Sequence, residues 1–192
     1  MDGKRARRWG LAVLVPLVLV ASGVFVLRWL SVQEPPKLPE PFREQLAARV
    51  VDIIEHDPTF DGEHHPDARP VCAASVFGVA PDSADTIDEV RTIYTLAFCP
   101  YLPNADIGKG PGIDLSSHGG VSMPIALHLG PPVTHQKPEE GEGMYTDSIR
   151  RIFPKSLQEA AFNAATDPAM TNAVDDRITR LLSSPMPSPS HS

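Results

Sequence analysis

Aromatic residues make up only 6% of this 192-residue sequence, and cysteine occurs only twice. Proline, by contrast, reaches 21 residues, about twice its ordinary usage of roughly 5%. Few rings and many prolines describe a small, loop-rich domain and exclude the extended apolar core of a large enzyme. The familiar catalytic signatures are also missing. Without a Cys-x-x-Cys spacing there is no common thiol–disulfide redox motif. There is no His-Glu-x-x-His run to hold zinc on one helix face, and no Gly-x-Ser-x-Gly elbow to present a serine nucleophile. Gly108, Lys109 and Gly110 lack the earlier glycine and the following Ser/Thr of a phosphate-binding loop.

Basic charge is scarce beyond residue 30. The first thirty residues hold five of the 17 basic groups and one of the 24 acids, which leaves 12 against 23 downstream. That balance of −11 excludes a grip on nucleic acid or an anionic lipid surface, since both need basic patches. It favours neutral or cationic partners.

What the sequence does have is one long apolar run, GLAVLVPLVLVASGVFVLR, between Trp9 and Trp29. About twenty helical residues at roughly 1.5 Å each span the hydrocarbon core of a bilayer, and a tryptophan at each end suits the two interfaces. Lys4, Arg5, Arg7 and Arg8 precede the run. The excess of positive charge before it predicts a cytoplasmic N-terminus and an extracytoplasmic remainder: a single-pass protein of the cell membrane. An uncleaved signal-anchor is the reading adopted. The rival is a cleaved signal peptide with its site near Ala21 to Gly23, although the run continues past that site through Val24-Phe25-Val26-Leu27. The expected organisation is a cytoplasmic segment over 1–8, a membrane helix over 9–30 and a proline-rich spacer over 31–41. An extracytoplasmic domain over 42–182 and a disordered tail over 183–192 follow.

Within the domain, Leu46, Ala47, Val50, Val51, Ile53 and Ile54 recur at three- and four-residue steps and predict a helix over 42–55. Residues 71–79 and 92–99 are rich in β-branched and aromatic side chains and read as strands. Pairing them about the midpoint of the polar segment between them sets Cys72 opposite Cys99 and Phe77 opposite Tyr94. Ser75 then faces Leu96, and Ala73 faces Phe98. The aromatics on the face away from the cysteines are expected to turn toward the Leu46 and Val50 stripe. A third strand over 121–129 alternates cleanly, and Pro124 marks it as an edge strand or a bulged one. Helices are expected over 144–153, 156–165 and from Asp167 onward, the last with Met170, Val174, Ile178 and Leu181 as its stripe. The fold class is α+β, with one helix packed on an antiparallel meander followed by C-terminal helices. This layout is similar to that of cystatin-like and NTF2-like folds.

Three groups of residues invite a chemical reading. Cys72 and Cys99, on facing strands of an exported domain, predict a structural disulfide. His56, Asp61, Glu63, His64 and His65 form an acidic, histidine-bearing loop whose side chains are competent metal ligands but lack the spacing of a known site. Asp114, Ser116, Ser117 and His118, near Ser122, contain the residue types of a triad without its framing motif. No cofactor is implied, and His128 reads as an ordinary strand histidine. The expectation is a membrane-tethered extracytoplasmic binding or accessory domain without catalytic activity, its partner a protein or a neutral or cationic ligand of the cell envelope. The alternatives are a metal-dependent hydrolase using the loop from His56 to Asp67, or a structural component of an envelope or secretion complex.

Overall fold

A computed structural model describes residues 37–57, 60, 66–110 and 119–183. The expected membrane helix over 9–30, the basic segment before it and the tail from 184 onward lie outside the described residues. Among the described residues, no helix is long and apolar enough to cross a membrane.

Helix α1 (Glu40–His56) opens the fold, with Pro41 in its first turn and Glu40 beside the positive end of its dipole. Its buried stripe is Phe42, Leu46, Val50 and Ile54. Five strands follow: β1 (Ala68–Pro70), β2 (Ala73–Ala80), β3 (Thr92–Pro103), β4 (Gly120–His128) and β5 (Thr134–Gln136). They form a curled antiparallel sheet in which β1 and β2 share one side of β3, β4 takes the other, and β5 borders β4. Helices α2 (Met144–Ile152), α3 (Gln158–Phe162) and α4 (Pro168–Ser183) complete the α+β domain.

The register of β2 on β3 begins as the sequence predicts, with Ala73 opposite Phe98 and Ser75 opposite Leu96. It shifts between Val76 and Gly78, so that Gly78, not Phe77, stands opposite Tyr94. Phe77 is the extra residue of a β-bulge. It packs on Phe153, as does Tyr94, with ring centroids 5.9 Å apart in each case. Just before β2, Cys72 and Cys99 are bonded, with their Cα atoms 4.2 Å apart. That is the close approach of two directly opposed residues.

The assignment of faces differs from expectation. α1 packs on the cysteine face, against Cys72, Val76, Ile93, Ala97, Cys99, Ile125 and Leu127. The aromatics turn the other way. Tyr94 joins Ile149, Phe153, Leu157 and Ala161 of the C-terminal segments, and Leu96 joins Met170, Val174, Ile178 and Leu182 of α4. The sheet is thus covered on both faces. This accounts for β3, whose sequence TIYTLAFCPYLP shows no alternation and is buried almost throughout: a strand enclosed on both faces gains nothing from a polar side.

Three local departures have simple causes. β1 and β5 lie outside the strands read from the sequence, because strands three residues long carry no periodic signal. β3 runs on to Pro103 because Val71 N–H donates to the Pro100 carbonyl and Tyr101 N–H to that of Gly119, so Pro100 needs no donor of its own. Ser156 and Glu159 have the Ser-x-x-Glu spacing of a capping box and predict a helix start there, but the N-terminus of α3 has no side-chain cap. The same spacing is used at Thr86 and Glu89, where both arms of a capping box close around a 3₁₀ turn at Ile87–Glu89. Asp167 does cap α4, accepting from Met170 N–H at 2.8 Å.

Candidate functional site

Where they are described, the residues singled out for their chemistry are held by the fold. His56 ends α1 with its ring exposed and its Nδ1 2.7 Å from the Asp52 carbonyl, one turn back on the same helix. Its expected companions Asp61, Glu63, His64 and His65 lie outside the described residues. Asp57, at the start of that loop, lies 3.4 Å from His135 on β5, and Phe60 stacks on the same imidazole at 5.3 Å. Among the described residues, no group of three or more His, Cys, Asp or Glu side chains is placed to hold a metal ion.

His128 stands opposite Thr92, with Nδ1 and Oγ1 3.0 Å apart, a cross-strand pair. Ser122 Oγ lies 2.8 Å from Thr166 Oγ1. The triad residues 114–118 lie outside the described residues. Gly108 and Gly110 adopt positive φ, and their N–H groups reach the carbonyls of Leu181 and Leu182. They satisfy acceptors that the last turn of α4 leaves open. Lys109, between them, pairs with Asp106 at 2.9 Å.

A different region has the form of a site. A cleft of about 770 Å³ runs beside β4, between Tyr101, the strand segment Gly119–Met123, the chain from Lys137 to Glu140, and Met144 with Tyr145. β5 pairs only with Ala126, Leu127 and His128. Over Gly120–Ile125 the outer side of β4 therefore has no strand neighbour among the described residues. Pro124 sits within this stretch, where the missing N–H costs no bond on the outer side. Met144 is 48% exposed and Tyr145 38% exposed, two of the four large hydrophobic side chains exposed among the described residues, and both line the cleft. Burial of part of its ring raises the Tyr145 hydroxyl pKa above the ordinary tyrosine value, so the ring presents a neutral phenol.

The wall opposite β4 carries charges of both signs, Lys137 beside Glu139 and Glu140. Glu139 pairs with Arg151 and, through its N–H, donates to Ser148 Oγ at 3.0 Å. Glu140 is exposed. Sequence reasoning reached the edge, through Pro124, but not the cleft. Tyr145 reads as part of the α2 stripe, and only in three dimensions does it leave the core residues Ile149 and Phe153 and face the open strand.

No protein-family model matches the chain, and neither does any curated protein or solved structure.

Proposed function

We propose that the chain is a binding or accessory domain without catalytic activity, tethered to a membrane by its N-terminal apolar run and facing the extracytoplasmic side. The observation that carries the reading is the contrast between the two kinds of site. The His, Ser, Lys and Asp side chains that invite chemistry are, where described, spent on helix ends, turns and cross-strand pairs, while the exposed apolar groups Met144 and Tyr145 gather at an open cleft. Apolar surface left at a cleft with a charged rim is the ordinary form of a binding surface. The charge balance beyond residue 30 favours a cationic or neutral partner. The disulfide is consistent with an oxidising compartment. The likeness of layout to cystatin-like and NTF2-like folds rests on α1 across one face of the sheet, and it lends this reading neither a residue nor a ligand.

The tether is tested with a reporter active only outside the cytoplasm, fused after Leu182. It is expected to be active, with the protein retained in membranes and its N-terminus intact. A shortened soluble form would show cleavage instead. The binding role is tested by crosslinking in membranes. A discrete partner is expected, whereas stoichiometric zinc in the purified protein, lost on His64→Ala and His65→Ala, would favour the metal-dependent hydrolase.

A further inference from the structure

We propose that α1 is a lid over the Cys72–Cys99 disulfide, latched by Glu55 and Arg177, and that the bond exchanges with a dithiol only when α1 lifts while the rest of the domain stays folded.

Access comes first. Thiol–disulfide exchange needs a thiolate to reach one sulfur of the bond. Cys72 is 1% exposed and Cys99 0%, and both lie in the cluster that holds Phe42, Leu46, Val50 and Ile54 of α1. In the closed fold a reductant therefore meets neither sulfur. The layering decides how the bond is uncovered. The clusters on the other face of the sheet, around Leu96 and Tyr94, contain no residue of α1. α1 can thus leave one face and keep the packing of the other in place, an opening smaller than unfolding of the whole domain.

A latch governs that opening. Glu55, in the last turn of α1, accepts from Cys72 N–H through Oε1 and from Arg177 of α4 through Oε2, each at 2.7 Å. The same guanidinium donates to the Cys72 carbonyl at 2.6 Å. Both main-chain polar groups of Cys72 are gripped by this charged pair, and one member of the pair leaves with α1. Hydrogen bonds to ionised groups are the strong ones. Toward their first turns the two helices stand apart, with a groove of about 480 Å³ between residues 40–47 and 167–173. The grip on α4 thus lies at the end of α1 that meets Cys72.

Once α1 has lifted, a thiolate of the dithiol attacks one cysteine sulfur, the S–S bond breaks, and the other cysteine leaves as a thiolate. The second thiolate of the dithiol then attacks its own first sulfur and releases the attacked cysteine. The dithiol ends as a cyclic disulfide, and its two protons pass through solvent to Cys72 and Cys99, which are reduced.

The test follows reduction of the full-length protein in detergent by dithiothreitol, with free thiols counted by alkylation and mass. R177A is expected to be reduced more than about tenfold faster than the native protein, and R177K by a smaller factor, since charge-assisted bonds are lost. V50A, on the buried stripe of α1, is expected to speed reduction by about tenfold. F153L, which loosens the far face, is expected to leave the rate within about twofold, because the open state keeps that packing. Urea below the unfolding transition is expected to raise the rate with a slope under about half that of global unfolding. If R177A does not fold, R177K and V50A carry the comparison. Reduction of the native protein as fast as that of the urea-unfolded chain would show an uncovered bond and overturn the lid. Equal rates for the native protein and the Arg177 variants would overturn the latch. Acceleration by F153L in proportion to its loss of stability, or a urea slope equal to that of global unfolding, would mean that only complete unfolding exposes the bond, and the lid would fall.

Discussion

Arg177 ties together three parts of the chain that are distant in sequence. Its guanidinium donates to Glu55 Oε2 at 2.7 Å and to the Cys72 carbonyl at 2.6 Å, while Cys72 N–H donates to Glu55 Oε1 at 2.7 Å. The end of α1, the approach to β2 and the middle of α4 are thereby locked around the disulfide. The group is only partly buried, so solvent weakens the charge term, but the bonds to charged atoms keep their geometry. Arg177→Ala is expected to cost about 2 kcal/mol, measured as a lower urea midpoint with the slope unchanged. Glu89 makes a second local prediction. N–H groups of Asp85 and then Thr86 donate to its carboxylate and hold its pKa below the usual carboxylate value. A depressed pKa in the folded state means that the stabilisation is present above the unfolded value and is lost as pH falls through the folded one. Its carboxyl resonance is expected to titrate below the ordinary glutamate value, and Glu89→Gln is expected to flatten the loss of stability on acidification. Neither site is evident from residue type alone. The spacing of Thr86 and Glu89 is a readable cap signal, but the partnership of Arg177 with Glu55 needs the whole fold.

Among the elements, the glycine pair at the start of β4 shows how closely the strands are fitted. A methyl group on Gly120 would lie 2.7 Å from Pro100 Cα and 2.9 Å from the Cys99 carbonyl oxygen, both backbone atoms that cannot swing away, whereas one on Gly119 would meet nothing within 4 Å. Gly120→Ala is therefore expected to cost about 1–3 kcal/mol and Gly119→Ala less than about 0.5 kcal/mol, read from paired denaturation curves. Gly78 belongs to the bulge. With Phe77 inserted, position 78 stands opposite Tyr94, where an added Cβ would run into Leu157 Cδ1 and require that side chain to shift. This is where legibility stopped. The strands around the disulfide could be aligned because Cys72, Ala73, Ser75 and their partners agree on one register. Nothing in the string AASVFGVA announces the extra residue, since a bulge is fixed by what packs behind it. The helices were legible from their stripes, except that Leu182 and not Leu181 completes the stripe of α4. Which helix covers which face of the sheet was not legible. β3 is apolar at nearly every position, and either side of it would have suited α1. The cleft stayed hidden for a related reason, since Tyr145 sits in phase with the buried stripe of α2 and leaves it only at the first turn.

At the scale of the whole molecule, the disulfide links residues 27 apart and lies beneath α1, in the layer that the first helix covers. Reduction is expected to lower stability by about 3 kcal/mol in the loop-entropy account, seen as a lower melting temperature with little change in helical signal just below it. The two layers draw on opposite ends of the described chain. α1 supplies one, α2–α4 supply the other, and β3 is the strand on which β1, β2 and β4 all depend. Such an arrangement has a consequence in time. α1 is made first of the described helices, yet Ile125 and Leu127, which help to cover it, are made some seventy residues later. At about 5–20 residues per second, a ribosome needs roughly 4–15 s to travel from Ile54 to Leu127. Throughout that interval Phe42, Leu46, Val50 and Ile54 form an apolar stripe without its full cover. The newborn chain thus passes through a stage at which α1 lacks its cover, and a factor that holds unfinished chains would find a grip there, on residues the finished protein hides.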